Sequence, residues 1–205
     1  VLDVGDEVTP GLRRIINRGG PGSGHFGHQG RPGERGGSLP GGAGMGSATP
    51  VSDADTILTT NMRKMDGMMS HPGRSSNYGL TLEHGRYFTP AERPKDIPKM
   101  ENKACYENAS LLALRRPDLT YVEGFATIPL VEGMPFAHAW LVDHKGTVID
   151  PTWEAPGTSY FGIPFTTEYL QETLLRNKVY GMLPDIPTAE YDPGKNGFRE
   201  GAIKR

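Results

Sequence analysis

Hydrophobic and polar residues change their period several times along the chain, and each change marks an expected element. Ile57, Leu58, Met62, Met65, Met68 and Met69 recur at intervals of three and four behind Ser52-Asp-Ala-Asp55, the pattern of a capped amphipathic helix ending near Met69. Methionines in such a stripe serve as adaptable core packing. Residues 70–77 carry turn chemistry, and 80–88 have the composition of a short strand. Pro90, Pro94 and Pro98 hold the next segment extended. The helical period returns at 105–116, with Tyr106, Ala109, Leu112 and Ala113 on the apolar stripe and Arg115 and Arg116 in the last turn, where cations favour the helix dipole. After Pro117-Asp118 the residues become β-branched and aromatic. Residues 119–128 read as a strand, 131–135 as a connection, and 136–143 with 147–150 as a hairpin around His144-Lys-Gly146. A last helix covers 166–177, with Tyr169, Leu170, Thr173 and Leu174 facing inward.

A helix followed by an antiparallel meander is an α+β signature, and it places the helix that starts at Cys105 on a small antiparallel sheet. Flanking segments differ in kind. Residues 1–18 form an N-terminal tail or short helix, and 19–50 a flexible glycine-rich linker; a catalytic-size domain occupies 51–184 and a loose tail 185–205. The glycine tract has too few apolar side chains to offset the entropy of ordering it. It is no P-loop, since no strand precedes it and no Gly-Lys-Ser/Thr occurs, and it lacks the strict three-residue glycine repeat of collagen. Its position behind a first residue that is Val1 also suits a cleavage region of a longer precursor.

Charge narrows the partners. A net charge of −2 over 205 residues offers no footprint for nucleic acid or an anionic membrane, and no apolar run approaches the roughly 20 residues that span a bilayer. A cytoplasmic location is the expectation. The chain has one cysteine and six scattered histidines, so neither an internal disulfide nor a metal site is expected, and no cofactor is called for.

The candidate chemistry lies in three residues. A thiolate attacks carbonyl carbon, and Cys105, in the first turn of its helix, stands where backbone N–H groups favour an anion and can also serve the oxyanion of a tetrahedral intermediate. A histidine must take the thiol proton and return it to the leaving group. His138, between Ala137 and Ala139, leaves room for substrate to approach its ring. With a loop at residues 144–146, Asp143 pairs with Thr147 and position 140 stands opposite Asp150; a two-residue loop would put 141 there. The two-residue side-chain period favours the first register, because His138, Trp140 and Asp150 then share a face. Diagonal neighbours on one face lie about 7–8 Å apart at Cα, within reach of a His–Asp hydrogen bond. Asp150 would then orient the imidazole, although an aspartate before proline also caps turns. Asn102 is a helix cap or an oxyanion donor, and Trp140 a core residue or a shield and substrate contact. Glu107 and Asn108 read as solvated or structural.

Tyr121-Val-Glu-Gly124, His138-Ala-Trp140 and Ile149-Asp-Pro-Thr152, downstream of a helix-initial cysteine, resemble the core of transglutaminase-like proteins within the papain-like cysteine superfamily. The resemblance implies Cys105 as nucleophile, His138 as base and acid, Asp150 as orienter, and amide acyl transfer through a thioester to water or, less favoured, to an amine. A protein or peptide amide is the implied substrate. Arylamine acetyltransferases share the residue order but approach their cysteine through an arginine-glycine pair that is lacking here. The tract from His25 to Ser38 is similar to glycine-rich segments of head-associated proteins of tailed bacteriophages. That second resemblance implies a virion or host-cytoplasm setting, phage head proteins as partners, and, as the alternative function, a binding module that keeps the fold without activity.

Overall fold

The computed structural model describes residues 45–183 and 192–205. The chain divides into two units, Val1–Ala43 and Gly44–Arg205, and the fold is that of the second. The expected N-terminal helix and most of the glycine-rich linker lie outside the described residues.

The unit is mixed α and β. In chain order it comprises α1 (Asp53–Met69), α2 (Asn77–His84), β1 (Arg86–Phe88), α3 (Cys105–Arg115), β2 (Thr120–Ile128), β3 (Val131–Val142), β4 (Val148–Ile149), β5 (Ser159–Pro164), α4 (Thr167–Asn177) and α5 (Pro193–Asn196). The five strands form one sheet in the order β1-β5-β2-β3-β4, with every pairing antiparallel. Among the described residues, no helix is long and apolar enough to cross a membrane.

Local chemistry sets the helix starts. Ser52 caps α1 by accepting the Asp55 N–H at 3.1 Å, and the Asp55 carboxylate reaches back to the Val51 N–H at 3.1 Å. Leu58 and Met62 of α1 are fully buried, whereas Met68 and Met69 are exposed, so the last methionines do not pack in the core as expected. Ser76 caps α2 through the Gly79 N–H at 3.0 Å. This helix replaces most of the strand expected over 80–88, which shrinks to β1. Ser-Asn-Tyr-Gly reads as a turn in isolation, but it is a cap followed by Tyr78, which stacks on Phe125 of β2 with ring centroids 4.2 Å apart. The cap of α4 is Thr166, and Tyr169, Leu170, Thr173 and Leu174 are buried on its inner face, as the periodicity required.

Alternation along the strands sorts side chains to two faces. Tyr121, Ala139, Leu141 and Ile163 meet Ala109 and Ala113 of α3 and Leu170 and Leu174 of α4 in the largest core cluster. Val122, Trp140, Val142 and Tyr160 form a second cluster with Phe88 and Val148. A third joins Leu58 and Met62 of α1 to Tyr87, Phe125 and Phe161. The hairpin takes the three-residue loop: Asp143 N–H donates to Thr147 O, and Leu141 pairs with Ile149. The β2–β3 connection is shorter than expected, because β3 begins at Val131 and a register irregularity between Ala126 and Ile128 absorbs the extra residues.

Two boundaries shift. Residue 47 already belongs to the fold, through paired backbone bonds with Tyr87 of 2.9 and 2.8 Å, so the linker gives way to order before 51. The C-terminal residues 192–205 are no loose tail: Ala202 is fully buried, Ile203 bridges Phe165, and Asp192 pairs with Arg74 at 3.1 Å. Proline, glycine and charge disguised this return, because its fastening is a set of backbone bonds and one ion pair to residues remote in sequence, such as Ser75 and Arg74.

Between β2 and β5 the strands approach where both residues are glycine, Gly124 opposite Gly162. A Cβ on Gly162 would stand 2.7 Å from the Trp140 ring and 2.8 Å from Glu123 O. Gly162→Ala should therefore lower stability by about 1–3 kcal/mol, seen as a lower urea midpoint. Gly67 in α1 has nothing within 4 Å of its would-be Cβ, and Gly67→Ala should raise the midpoint by up to about 1 kcal/mol.

Candidate active site

The site is assembled around one carboxylate. Asp150 directly follows the short strand β4 and is 3% exposed, so each of its oxygens must find protein donors. Oδ1 accepts the Thr152 and Trp153 N–H groups at 2.8 and 3.1 Å. Oδ2 lies 2.7 Å from His138 Nε2 and accepts the Tyr160 hydroxyl at 3.1 Å. Turn-capping and imidazole-orienting, which stand as alternatives in the sequence, are done by opposite oxygens of the same group.

His138 is 2% exposed. Its Nε2 faces Asp150, which leaves Nδ1 for the other side of the ring, and Cys105 is near enough to act on the titration of the imidazole. Trp153 lies flat on the ring at a centroid distance of 3.9 Å and an interplanar angle of 11°. Burial works against the imidazolium, but the bonds and charges of Asp150 and Cys105 outweigh it and raise the His138 pKa to about 9. For Asp150 burial likewise opposes the charged form, and the His138 partner with the two turn N–H groups overcomes it, holding the carboxyl below its ordinary range.

Cys105, half-buried, is the first residue of α3. Its N-cap is Ala104, which offers no side-chain acceptor, so the first-turn N–H groups are not capped by a side chain. Asn102 is not the cap. Its Oδ1 accepts from Lys99 Nζ at 2.8 Å, and its place is the rim of an open groove of about 490 Å³ that Phe136, Thr152 and Trp153 also line. Lys103 turns the chain into the helix with φ 65°, a left-handed conformation that costs a non-glycine residue about 1 kcal/mol.

The approach to Cys105 is tied to the Asp150 turn at several points. Met100 N–H donates to Pro151 O at 2.7 Å, and Arg93 Nη1 to Trp153 O at 2.9 Å. Asn108, one helical turn past Cys105, is 3% exposed and donates Nδ2–H to Glu101 O at 2.7 Å and to Thr152 Oγ1 at 2.9 Å. These bonds set the distance between the sulfur and the imidazole.

A second buried carboxylate supports the helix from behind. Glu123, 1% exposed, accepts the Tyr121 hydroxyl at 2.7 Å and the N–H groups of Met182 and Leu183 at 2.5 and 2.8 Å. Burial, and next the Glu123 charge, push the Tyr121 hydroxyl well above its ordinary pKa. Glu107, in the first turn of α3, lies near the Tyr180 hydroxyl, and burial, then this carboxylate, raise the Tyr180 pKa. Residues 180–183 thus lie over the start of the cysteine helix.

The structure therefore brings Cys105, His138 and Asp150 together and separates Trp140 from them. Trp140 is fully buried in the second core cluster, 6.1 Å from the His138 ring between centroids, and has no face for a substrate. Shielding belongs instead to Trp153, whose spacing of three from Asp150 across a proline turn was the available signal. Tyr160 was not legible as a site residue, since β5 itself was not expected. Asn108, which the sequence leaves as solvated or structural, is buried, and its spacing of three from Cys105 places both on one helix face. Among the described residues, no cluster of His, Cys, Asp or Glu could hold a metal ion. No protein-family model matches the chain, and comparison with curated proteins and with solved structures finds no significant similarity.

The titration directions fix a stability profile. The His138 contribution is complete below its unfolded value of 6.5 and is lost as pH rises through about 9. The Asp150 contribution is present above 3.8 and is lost as pH falls through its lower folded value. Urea midpoints should therefore be highest between 3.8 and 6.5 and decline on both sides, with the alkaline decline reduced in His138→Gln.

Proposed function

We propose that the protein is a cysteine-dependent enzyme with a transglutaminase-like, papain-like core that cleaves a protein or peptide amide through a thioester at Cys105. The observation that carries this reading is the His138 ring, bonded through Nε2 to a saturated buried carboxylate, with the sulfur of a helix-initial cysteine near enough to act on its titration. A ring oriented by a carboxylate beside a thiol is what the nucleophile–base–orienter arrangement requires.

In the proposed cycle the proton that Cys105 gives up rests on His138 as sulfur attacks the substrate carbonyl carbon. The uncapped first-turn N–H groups of α3 face the oxyanion that forms. His138 returns the proton to the amide nitrogen, the C–N bond breaks, and the amine departs. Water, deprotonated by the same ring, then attacks the thioester carbon, the C–S bond breaks, the acid departs, and the proton returns to the sulfur–imidazole pair. An imidazole that holds its proton to about pH 9 favours the protonation of a poor leaving group such as an amine. Asp150 keeps Nε2 as donor, Tyr160 and the turn N–H groups hold Asp150, and Trp153 keeps water from the pair. Water is the preferred acceptor.

The test is the rate of Cys105 alkylation by iodoacetamide at pH 6.5. The wild-type thiol should react at least about 10-fold faster than free cysteine, and His138→Ala should lose this advantage. Tyr160→Phe should fall between, since it removes one of the four bonds to Asp150. Equal rates in wild type and His138→Ala would overturn the proposal. Because Cys105 is the only cysteine in the chain, the modified mass reports it without ambiguity.

A further inference from the structure

The edge of the sheet opposite β4 carries a second feature that the thiol chemistry does not use. A cavity of about 1050 Å³ opens there, walled by the end of α2, by Arg86 of β1 and by the returning C-terminal residues. Arg86 is half-buried. Its guanidinium donates Nη1–H to Met45 O at 3.0 Å and Nη2–H to Lys204 O at 3.2 Å, and among the described residues no carboxylate pairs with it. Burial lowers its pKa with no acid to offset the effect. Lys204, beside it, places Nζ 2.9 Å from Thr120 Oγ1 and likewise has no carboxylate partner among the described residues.

A desolvated cation with only neutral acceptors is costly, and a counter-charge removes the cost. Among the other side chains of the wall, Arg205 is a further cation, and neither glutamate pairs with Arg86. Glu83 lies 3.7 Å from His84 and is largely exposed, and Glu200 is exposed at the rim. Arg199 is already matched, at 2.6 Å, by Glu172 outside the cavity, while Lys195 adds a further positive charge to the lining. Three of the five guanidinium N–H groups of Arg86 remain for a ligand.

We infer that this cavity is a binding site for a compact oxyanion of charge −2 or more, the phosphate or carboxylate end of a small molecule, held between Arg86 and Lys204. The planar guanidinium offers the paired donors that such a group accepts, and the ammonium adds a point charge. The site is separate from the thiol chemistry and does not depend on it.

Thermal unfolding of the full chain would be measured with inorganic phosphate, pyrophosphate and citrate, each against sodium chloride at equal ionic strength. A rise in Tm of about 2–4 °C over chloride is expected with at least one of the three at saturating concentration. Selectivity for pyrophosphate or phosphate identifies a phosphate ligand, and selectivity for citrate a carboxylate. Arg86→Gln and Lys204→Gln should each remove at least half of the rise. Lys204→Gln carries the test if loss of the Arg86 bonds to Met45 and Lys204 prevents folding. No rise over chloride, or an undiminished rise in the folded variants, would overturn the inference.

Discussion

A charged pair that is nearly free of water, His138 with Asp150, is tenable only if every remaining lone pair and proton is occupied, and much of the structure is arranged to occupy them. β3 brings the imidazole, β4 and its following turn bring the carboxylate, β5 brings the Tyr160 hydroxyl, and the helix start brings the sulfur. Four elements, the β3–β4 hairpin, β5 and the start of α3, thus converge on one ion pair. Breaking the pair by removing one partner leaves a buried charge, which costs more than the pair itself contributes. The site and the core are held by the same contacts: Tyr160 packs edge-on against Trp140 at 5.1 Å with the hydroxyl end on Asp150.

The second buried acid has a different task. Glu123 gathers the Tyr121 hydroxyl and two consecutive backbone N–H groups, fixing the chain after α4 against the far side of the cysteine helix. The start of α3 is consequently clasped from two directions, by Asn108 and Met100 toward the Asp150 turn and by the residues around Tyr180 on the other side. Helix position, more than helix propensity, decides where the sulfur sits. The left-handed Lys103 is the local conformational cost of that entry.

What the sequence made legible follows from the range of each signal. His138 and Asp150 were found because hairpin register is a local quantity, fixed by loop length and the two-residue period, and the Leu141–Ile149 pairing is the register that places 140 opposite 150. The inner face of α4 and the cap of α1 were legible for the same reason. Tyr160 was hidden because β5 inserts between β1 and β2, so its neighbours in the sheet are remote in sequence. α2 was hidden because a serine cap followed by Asn-Tyr-Gly has turn composition, and only the Tyr78 stack on Phe125 settles it as helix. Trp140 and Trp153 could not be told apart by type: burial of one and the stack of the other on imidazole depend on which side of the sheet the Asp150 turn folds.

The four donors that converge on Asp150 place a condition on that position that charge alone does not. An asparagine has nearly the same shape, but it brings a single acceptor oxygen where the carboxylate has two. That oxygen could keep the imidazole and Tyr160, turning the amide nitrogen on the Thr152 and Trp153 N–H donors, or keep the turn, forcing Nε2 to give up its proton and become the acceptor. The residue identity is thus set by a count of lone pairs, shared between a piece of architecture and a piece of chemistry that neither can surrender.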